Sequence, residues 1–535
     1  MTSEAASTAD LMAAYLAEAG TEAIFAYPGD PIIEFMERSR IRGIDVVLAR
    51  REGTAAFMAE AHGMLTGRPG VCLSTLGPGS TALVNGVAAA TLDRVPMLAI
   101  SGQIESAREP FFTHQVVDHQ ALFAPVTKWA GRMDAGAVAT VMRKALRTAT
   151  AERPGAVHLT CGSDTFKAPA RDAVVAVPPL GPHRGGVSVS GADPSRLLAA
   201  ARRPVLLAGI GAVRCGATEQ LTRLAEVAGL PVVVAPMAKG VVAEDSSMFA
   251  GVLDMACNQV LWDLLASADL IVAAGFDPVE LIKPWRVTAP VVHVDTTANT
   301  DQVYASDCEV VGDVAAALGW FADSWTGEPR WSEREVKEHR ARLREAYYAG
   351  RVADRLNPTD VIDVVAGRLA GDAIVTTDVG SHKLLVGQGW PAASPRSVLM
   401  TNGLSAMGFG VPAAIAAKLL DRDRPVAALV GDGGFAMVAT EMRLAAGLGL
   451  PIVVVVFVDG SLNRIELKQM AASYPSVATR IEDTDLVQLA GAMGCDGVRV
   501  RSAGELDRAL ENATGLTRPL VVEARIDPAQ YASQF

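Results

Sequence analysis

VAALVGDGGFAMVATEMRLAAGLGLPIVVVVFVDGSLNRIELKQ, residues 426–469, is the stretch whose reading decides the fold. An apolar run (426–431) gives way to Asp432-Gly433-Gly434, then to a helix-forming stretch from Met437 to Gly447. A second apolar run (451–459) follows and closes in Gly460-Ser461. Short, continuous, β-branched runs separated by a helical stretch predict buried parallel strands. Asp432 and Asp459 then stand at the carboxyl ends of two such strands, the edge where open α/β sheets bind ligands. Glycines beside Asp432 let the backbone approach a diphosphate, and hard carboxylate oxygens suit a Mg²⁺ ion bridging it. Taken alone, GDGG reads equally well as a tight turn.

The same alternation extends outward in both directions. In the third region, strands are predicted at 373–378, 397–401 and 520–526. In the first they fall at 23–27, 45–50, 70–75, 96–101 and 156–160, and in the second at 204–209, 231–235, 270–275 and 290–295. A Pro-rich stretch, 177–195, reads as a linker, and the charged stretch 327–357 as a solvated helix or connector. The fold class expected is α/β, with three successive doubly wound parallel-sheet domains at 1–176, 190–326 and 350–535.

Composition narrows the class further. Half of the 535 residues are hydrophobic and 5% are aromatic, which suits helices packed closely on parallel strands. The net charge of −11 is spread along the chain without a basic stripe, so neither nucleic acid nor an anionic membrane is expected as partner. Six scattered cysteines form no CxxC pair and read as buried thiols rather than a zinc site. The N-terminus reads as an amphipathic helix without the basic start of a signal peptide. The longest apolar run, Leu450 to Val458, is too short to cross a bilayer. A soluble, cytoplasmic protein is expected.

The spacing from Asp432 to Asp459 resembles the signature of thiamine-diphosphate enzymes, and the whole chain from about residue 8 to 530 resembles the acetolactate synthase family. The resemblance implies thiamine diphosphate and Mg²⁺ as cofactors. It places the metal on Asp432, the Asp459 side chain and the main-chain oxygen of Ser461, with Gly433 and Gly434 against the diphosphate. The family ends its signature in Asn-Asn where this chain has Val458-Asp459, which adds a negative charge. TTDVGSHKLLVGQ (376–388) is similar to the family's diphosphate-contacting segment and brings in Gly380, Ser381 and His382. TNGLSAMGFGVPAAIAA (401–417) resembles the segment holding the hydrophobic wedge beneath the cofactor, implying roles for Met407 and Ser405. By itself, Met407 also reads as core filling and His382 as a structural residue.

Residues 48–103 look like the family's pyrimidine-binding domain and place the activating glutamate at Glu52. A carboxylate bonded to the pyrimidine ring favours the tautomer whose nitrogen removes the C2 proton. Without the surrounding match, Glu52 reads as a first-turn glutamate favoured by the helix dipole. Pro28 and Gly29 match the loop facing the thiazolium, Pro78 joins the cofactor-facing set, and Gln115 matches an active-site Gln. His114 and His119 read as acid–base groups or as loop residues. His114-Gln115 also resembles the carboxyethylarginine synthase branch.

Two departures bear on the substrate, Asp30 where the family has a second Gly and Lys468 where biosynthetic members carry an acceptor-selecting Trp; Arg51 stands, without explanation, where the family usually has His. GFDPVELIKPW (275–285) resembles the catabolic, flavin-independent members, so FAD is not expected. The implied activity is decarboxylation of a 2-oxo acid such as pyruvate and transfer of the acyl carbanion to a second carbonyl. The alternatives are a lyase, decarboxylase or transferase with a specialised substrate, and a non-catalytic binding or regulatory protein. A homodimer or homotetramer with sites at the subunit interface is implied.

Overall fold

The computed structural model describes residues 6–172, 176–177, 181, 185–369 and 371–535. In the first domain the strands are β1 (Ala23–Ala26), β2 (Asp45–Leu48), β3 (Gly70–Ser74), β4 (Met97–Gln103), β5 (Trp129–Arg132) and β6 (Ala156–Gly162). They form one parallel sheet in the order β2-β1-β3-β4-β6-β5. The apolar runs predicted from sequence all became strands. WAGR in β5 escaped because an edge strand, half open to water, lacks a continuous apolar run. The N-terminal helix Thr8–Glu18, capped by Ser7, is buried on more than one face, from Leu11 to Leu16. It is a core element rather than an amphipathic surface helix.

The central sheet holds β7 (Ser188–Gly191), β8 (Pro204–Ala208), β9 (Val232–Val234), β10 (Phe249–Val252), β11 (Leu270–Ala274), β12 (Val291–Asp295) and β13 (Cys308–Val311), ordered β10-β9-β8-β11-β12-β13-β7. It is parallel except for β7, which runs antiparallel to β13 at the edge. The stretch read as a linker, 177–195, therefore contains a strand at 188–191, and Asp193 caps the helix Pro194–Ala200. Positions 178–180 and 182–184 of it lie outside the described residues, as do 1–5, 173–175 and 370.

The third sheet holds β14 (Ile374–Thr377), β15 (Val398–Leu399), β16 (Val426–Gly431), β17 (Val453–Val458), β18 (Asp496–Val500) and β19 (Leu520–Arg525), all parallel, in the order β15-β14-β16-β17-β19-β18. The charged stretch before it is no free connector. Helix Glu333–Tyr348, held by a Ser332/Glu335 capping box, buries Val336, His339, Leu343 and Tyr347, one face at helical spacing. His339 Nε2 bonds the Ala250 carbonyl at 2.9 Å.

The chain divides into two compact units. One comprises the first domain with residues 403–420; the other comprises the central and third domains. In the first, helix Gly410–Leu420 packs along helix Glu52–Thr66, with Phe57 edge-on to Phe409 at 5.9 Å. In the second, buried residues from Leu198 to Tyr531 form one continuous core. No helix among the described residues is long and apolar enough to cross a membrane.

Candidate active site

Each six-stranded sheet reverses its direction of winding between two strands, and ligands of open α/β sheets bind outside the carboxyl ends at that point. In the third domain the crevice lies between β14 and β16. GDGG is not a hairpin turn there: Gly431 ends β16, and Asp432 opens helix Asp432–Val438. A second helix, Glu441–Gly447, completes the crossover to β17, where one helix was expected. Across the crevice, a Cβ on Gly434 would lie 2.2 Å from Asp378 Oδ2, so a side chain there would require the Asp378 carboxyl to move.

Asp432 and Asp459 meet as the sequence predicts. Gly433 N donates to Asp432 Oδ1 at 2.8 Å, and Asp459 N and Gly460 N donate to its Oδ2 at 3.2 and 2.8 Å. Asp459 Oδ1 accepts from Ser461 N at 3.0 Å. Burial raises both carboxyl groups; for Asp459 the Asp432 carboxylate adds to it, pushing its pKa up to about 7. A divalent cation is what two such carboxylates need in order to stay ionised together, so this donor set fits a hard metal ion. Beside the pair opens a cavity of about 550 Å³ lined by Phe435, Val458 and Arg525. Among the described residues no cluster of three His, Cys, Asp or Glu side chains is grouped to hold a metal. The predicted set differs in kind, combining two carboxylates with a main-chain oxygen.

The loop after β14 brings Ser381 and His382 to the same edge. Ser381 Oγ donates to Asn463 Oδ1 at 2.8 Å. His382 is buried, stacks on Phe457 at 5.5 Å, and is held neutral by burial, its pKa lowered to about 3. A Cβ on Gly380 would approach its ring at 2.6 Å. The Ser461 hydroxyl donates to Glu466, which also accepts from Ser476 Oγ at 2.7 Å and pairs with Arg480 at 2.7 Å. Asp378, Asn463 and Glu466 were not singled out from sequence. Their signal was position alone: Asp378 directly follows β14, and the other two lie within five residues of Ser461.

In the first domain the crevice lies between β1 and β3. Glu52 opens helix Glu52–Thr66, and a Cβ on Gly79 would come within 3.1 Å of Glu52 Oε1. The helix that begins at Pro78 therefore runs close against the carboxylate. Gly29 faces Thr75 across the crevice, where a Cβ would meet Thr75 Oγ1 at 2.4 Å. Gly77, at φ +56°, lies against Gln115, itself left-handed at φ +59°. A non-glycine residue held there signals a constrained loop. Ser405, on the 403–420 segment, is left-handed too, at φ +55°, and Met407 is half-buried. Pro28, Asp30 and His114 are exposed. His119 is no surface loop residue: it is 1% exposed, bonded to Thr160 Oγ1 and edge-on to His158.

Glycine-lined crevices at two switch points, one bearing a paired acid site, define an α/β enzyme built to bind a diphosphate. Comparison with known proteins makes this specific. Residues 6–122, 195–320 and 378–524 match, in turn, the N-terminal TPP binding domain, the central domain and the C-terminal TPP binding domain of thiamine pyrophosphate enzymes. The chain belongs to the thiamine pyrophosphate enzyme family. It is 29% identical over 534 residues to the acetolactate synthase of Bacillus subtilis, covering 97% of this chain and 93% of that protein. It is 30% identical over 531 residues to the catabolic acetolactate synthase of Raoultella terrigena, covering 97% and 95%. Over 523 residues it is 30% identical to the "Probable 2-ketoarginine decarboxylase AruI" of Pseudomonas aeruginosa, covering 95% and 92%. It is thus an acetolactate synthase-like enzyme of carboligase and lyase chemistry that uses thiamine diphosphate.

Proposed function

We propose that the enzyme decarboxylates a 2-oxo acid and transfers the acyl unit to a second carbonyl, using thiamine diphosphate anchored through Mg²⁺. When bound, the cofactor would supply a carbon nucleophile for the 2-oxo carbonyl and a cationic ring to take up the electron pair left as CO₂ departs. The Asp432–Asp459 pair carries this reading: a fixed, half-buried, doubly acidic site beside glycine loops calls for a cation and a diphosphate. Asp432, Asp459 and the main-chain oxygen of Ser461 hold the metal. Gly380, Ser381, His382, Gly433 and Gly434 line the diphosphate, with His382 a neutral donor or acceptor.

On the other side Glu52 binds the pyrimidine ring and holds the proton that activates the cofactor. Pro28, Pro78 and Ser405 shape the cofactor's surroundings, and Met407 is the wedge beneath it. Gly29, His114 and Gln115 face the substrate. The working form is a homodimer or homotetramer with sites at the subunit interface, and FAD is not required. The test is incubation of purified protein with thiamine diphosphate, Mg²⁺ and pyruvate, with products read by mass spectrometry. A carboligation product without added flavin is expected; cofactor binding without any turnover of 2-oxo acids would leave a binding protein.

The Pseudomonas relative suggests a second reading, a decarboxylase for a 2-oxo acid with a cationic tail. The chain's own Lys468 speaks against it, since a cation on the substrate side disfavours a guanidinium.

A further inference from the structure

Lys468 belongs to a larger feature. It lines a cavity of about 670 Å³ in the second unit, together with Arg464, Lys283 and Arg286. None of these four cations forms an ion pair among the described residues. The guanidinium carbon of Arg464 lies over the Phe535 ring, 4.7 Å from its centre, and burial lowers the Arg464 pKa. The one acidic side chain on the wall, Asp254, is already committed. It accepts from Ile282 N, Lys283 N, Asn258 Nδ2 and Trp262 Nε1 at 2.6, 2.9, 2.7 and 3.2 Å. Even with the α-carboxylate of Phe535 counted, the lining stays positive. A cleft lined by one sign of charge concentrates ligands of the other.

The cavity is tied to the cofactor side by two helices. Arg464 and Lys468 are four residues apart on helix Asn463–Ala471 and share one face. That helix starts two residues after Ser461, and Asn463 in its first turn accepts from Ser381. At 1.5 Å per residue, Arg464 and Lys468 lie about 5 to 10 Å beyond the metal loop along the axis. Leu384, which also lines the cavity, is one turn into helix Ser381–Gly389, which opens with Ser381 and His382. The cations thus lie within about two helical turns of the loop proposed to hold the metal.

We infer that this cavity takes an acidic group remote from the reacting carbonyl, so that the substrate class is a dicarboxylic 2-oxo acid or acceptor. The inference rests on the proposed function and narrows it. The test compares 2-oxoglutarate and 2-oxoadipate with the uncharged-tail acids 2-oxopentanoate and 2-oxohexanoate. Each is supplied to the Mg²⁺–thiamine diphosphate holoenzyme alone and as acceptor beside pyruvate. An acidic tail should be favoured at least 10-fold in kcat/KM in one of the two roles, mostly through KM. Arg464→Gln with Lys468→Gln should lower that ratio at least 10-fold while thiamine diphosphate affinity, read by calorimetry, confirms a folded site. Separately, inert glutarate should quench tryptophan fluorescence saturably (Trp262 is on the wall), and the double variant should not respond. Preference for the uncharged tails, or turnover of neither pair by cofactor-loaded protein, overturns the inference. Glutarate binding without a tail preference also overturns it, leaving an anion site unrelated to turnover. Failure of thiamine diphosphate to bind at all instead removes the proposed function on which it rests.

Discussion

The first and third sheets have the same strand order. Counted from their own first strand, both run second, first, third, fourth, sixth, fifth. Both narrow at the crevice between first and third strands, and in both a glycine on one loop touches the loop opposite, Gly29 on Thr75 and Gly434 on Asp378. The difference lies in what hangs from the same positions. After its third and fourth strands the third domain places Asp432 and Asp459, and burial together with the Asp432 charge raises the Asp459 carboxyl. The first domain has Thr75 and Ile104 there and puts Glu52 after its second strand, beside a glycine helix start. One topology supplies the location twice. In the proposed reading, the residue types make one copy anchor charge and the other move a proton.

Breaking the charge-anchoring copy should have the largest effect. Asp432→Ala removes the acceptor of three backbone N–H groups along with the metal oxygen, so metal-dependent thiamine diphosphate binding by calorimetry should vanish. Loss of a supporting partner alone costs about 10- to 100-fold in metal affinity, and this change should exceed that. Asp459→Asn keeps an oxygen and removes the like-charge conflict, so binding should survive; loss of metal in that variant would show that the extra charge is required. Breaking the proton-moving copy should separate binding from chemistry. Glu52→Gln should still bind the cofactor but exchange its C2 proton about 10²- to 10⁴-fold more slowly by quenched-flow NMR. Equal exchange in wild type and variant would take Glu52 out of the mechanism.

Much of this was legible in the sequence for a physical reason. Central parallel strands are buried on both faces, so VAALVG and VVVVFV announce themselves as unbroken apolar runs, and the acids that follow them fall at a predictable edge. The edge strands β5, β7 and β18 were not legible, because exposure to water dilutes the apolar run; nor were β10 and β13, each only four residues long. Nor were Asp378 and Asn463, whose importance comes from partners 56 and 82 residues away in Gly434 and Ser381. The cationic cavity was visible only as Lys468. Its other cations lie far off in the chain or one helical turn back, and only packing shows that the nearby acid is used up.

The two glycine contacts sharpen the comparison at smaller magnitude. A Cβ on Gly434 meets the end of a side chain, Asp378 Oδ2, whereas one on Gly29 meets both Thr75 Oγ1 and, at 2.5 Å, Thr75 Cβ. A side-chain tip can swing aside; a β-carbon moves only with its backbone. Overpacking costs typically about 1–3 kcal/mol. Gly434→Ala should therefore fall near the low end in thermal unfolding and Gly29→Ala near the high end. The reverse order would mean that Asp378 is the more rigid wall.

An effect of similar size comes from a device present in the first domain alone. Its core holds two histidines in contact: His119, its pKa lowered to about 4 by burial, and His158, lowered well below the ordinary value for the same reason. His158 Nε2 bonds Ser101 Oγ at 2.9 Å, and its ring stacks on Phe123 at 3.7 Å. Around His119, Asp118 favours the proton and Arg132 opposes it, and neither outweighs burial. The sign follows from linkage. Unfolded chains protonate histidine near pH 6.5, the native His119 only near 4, so acid favours the unfolded state. The stabilisation is fully present above pH 6.5 and is lost as pH falls through that window toward 4. Between pH 7 and 5, His119 alone should cost about 2 kcal/mol. Hydrogen exchange of β4 and β6 amides reads the stability of this domain without requiring the whole chain to unfold as one unit. His119→Asn, which cannot titrate, should flatten the wild-type decline by that amount over the same range. An identical decline in both proteins would show that His119 takes up its proton in the native state.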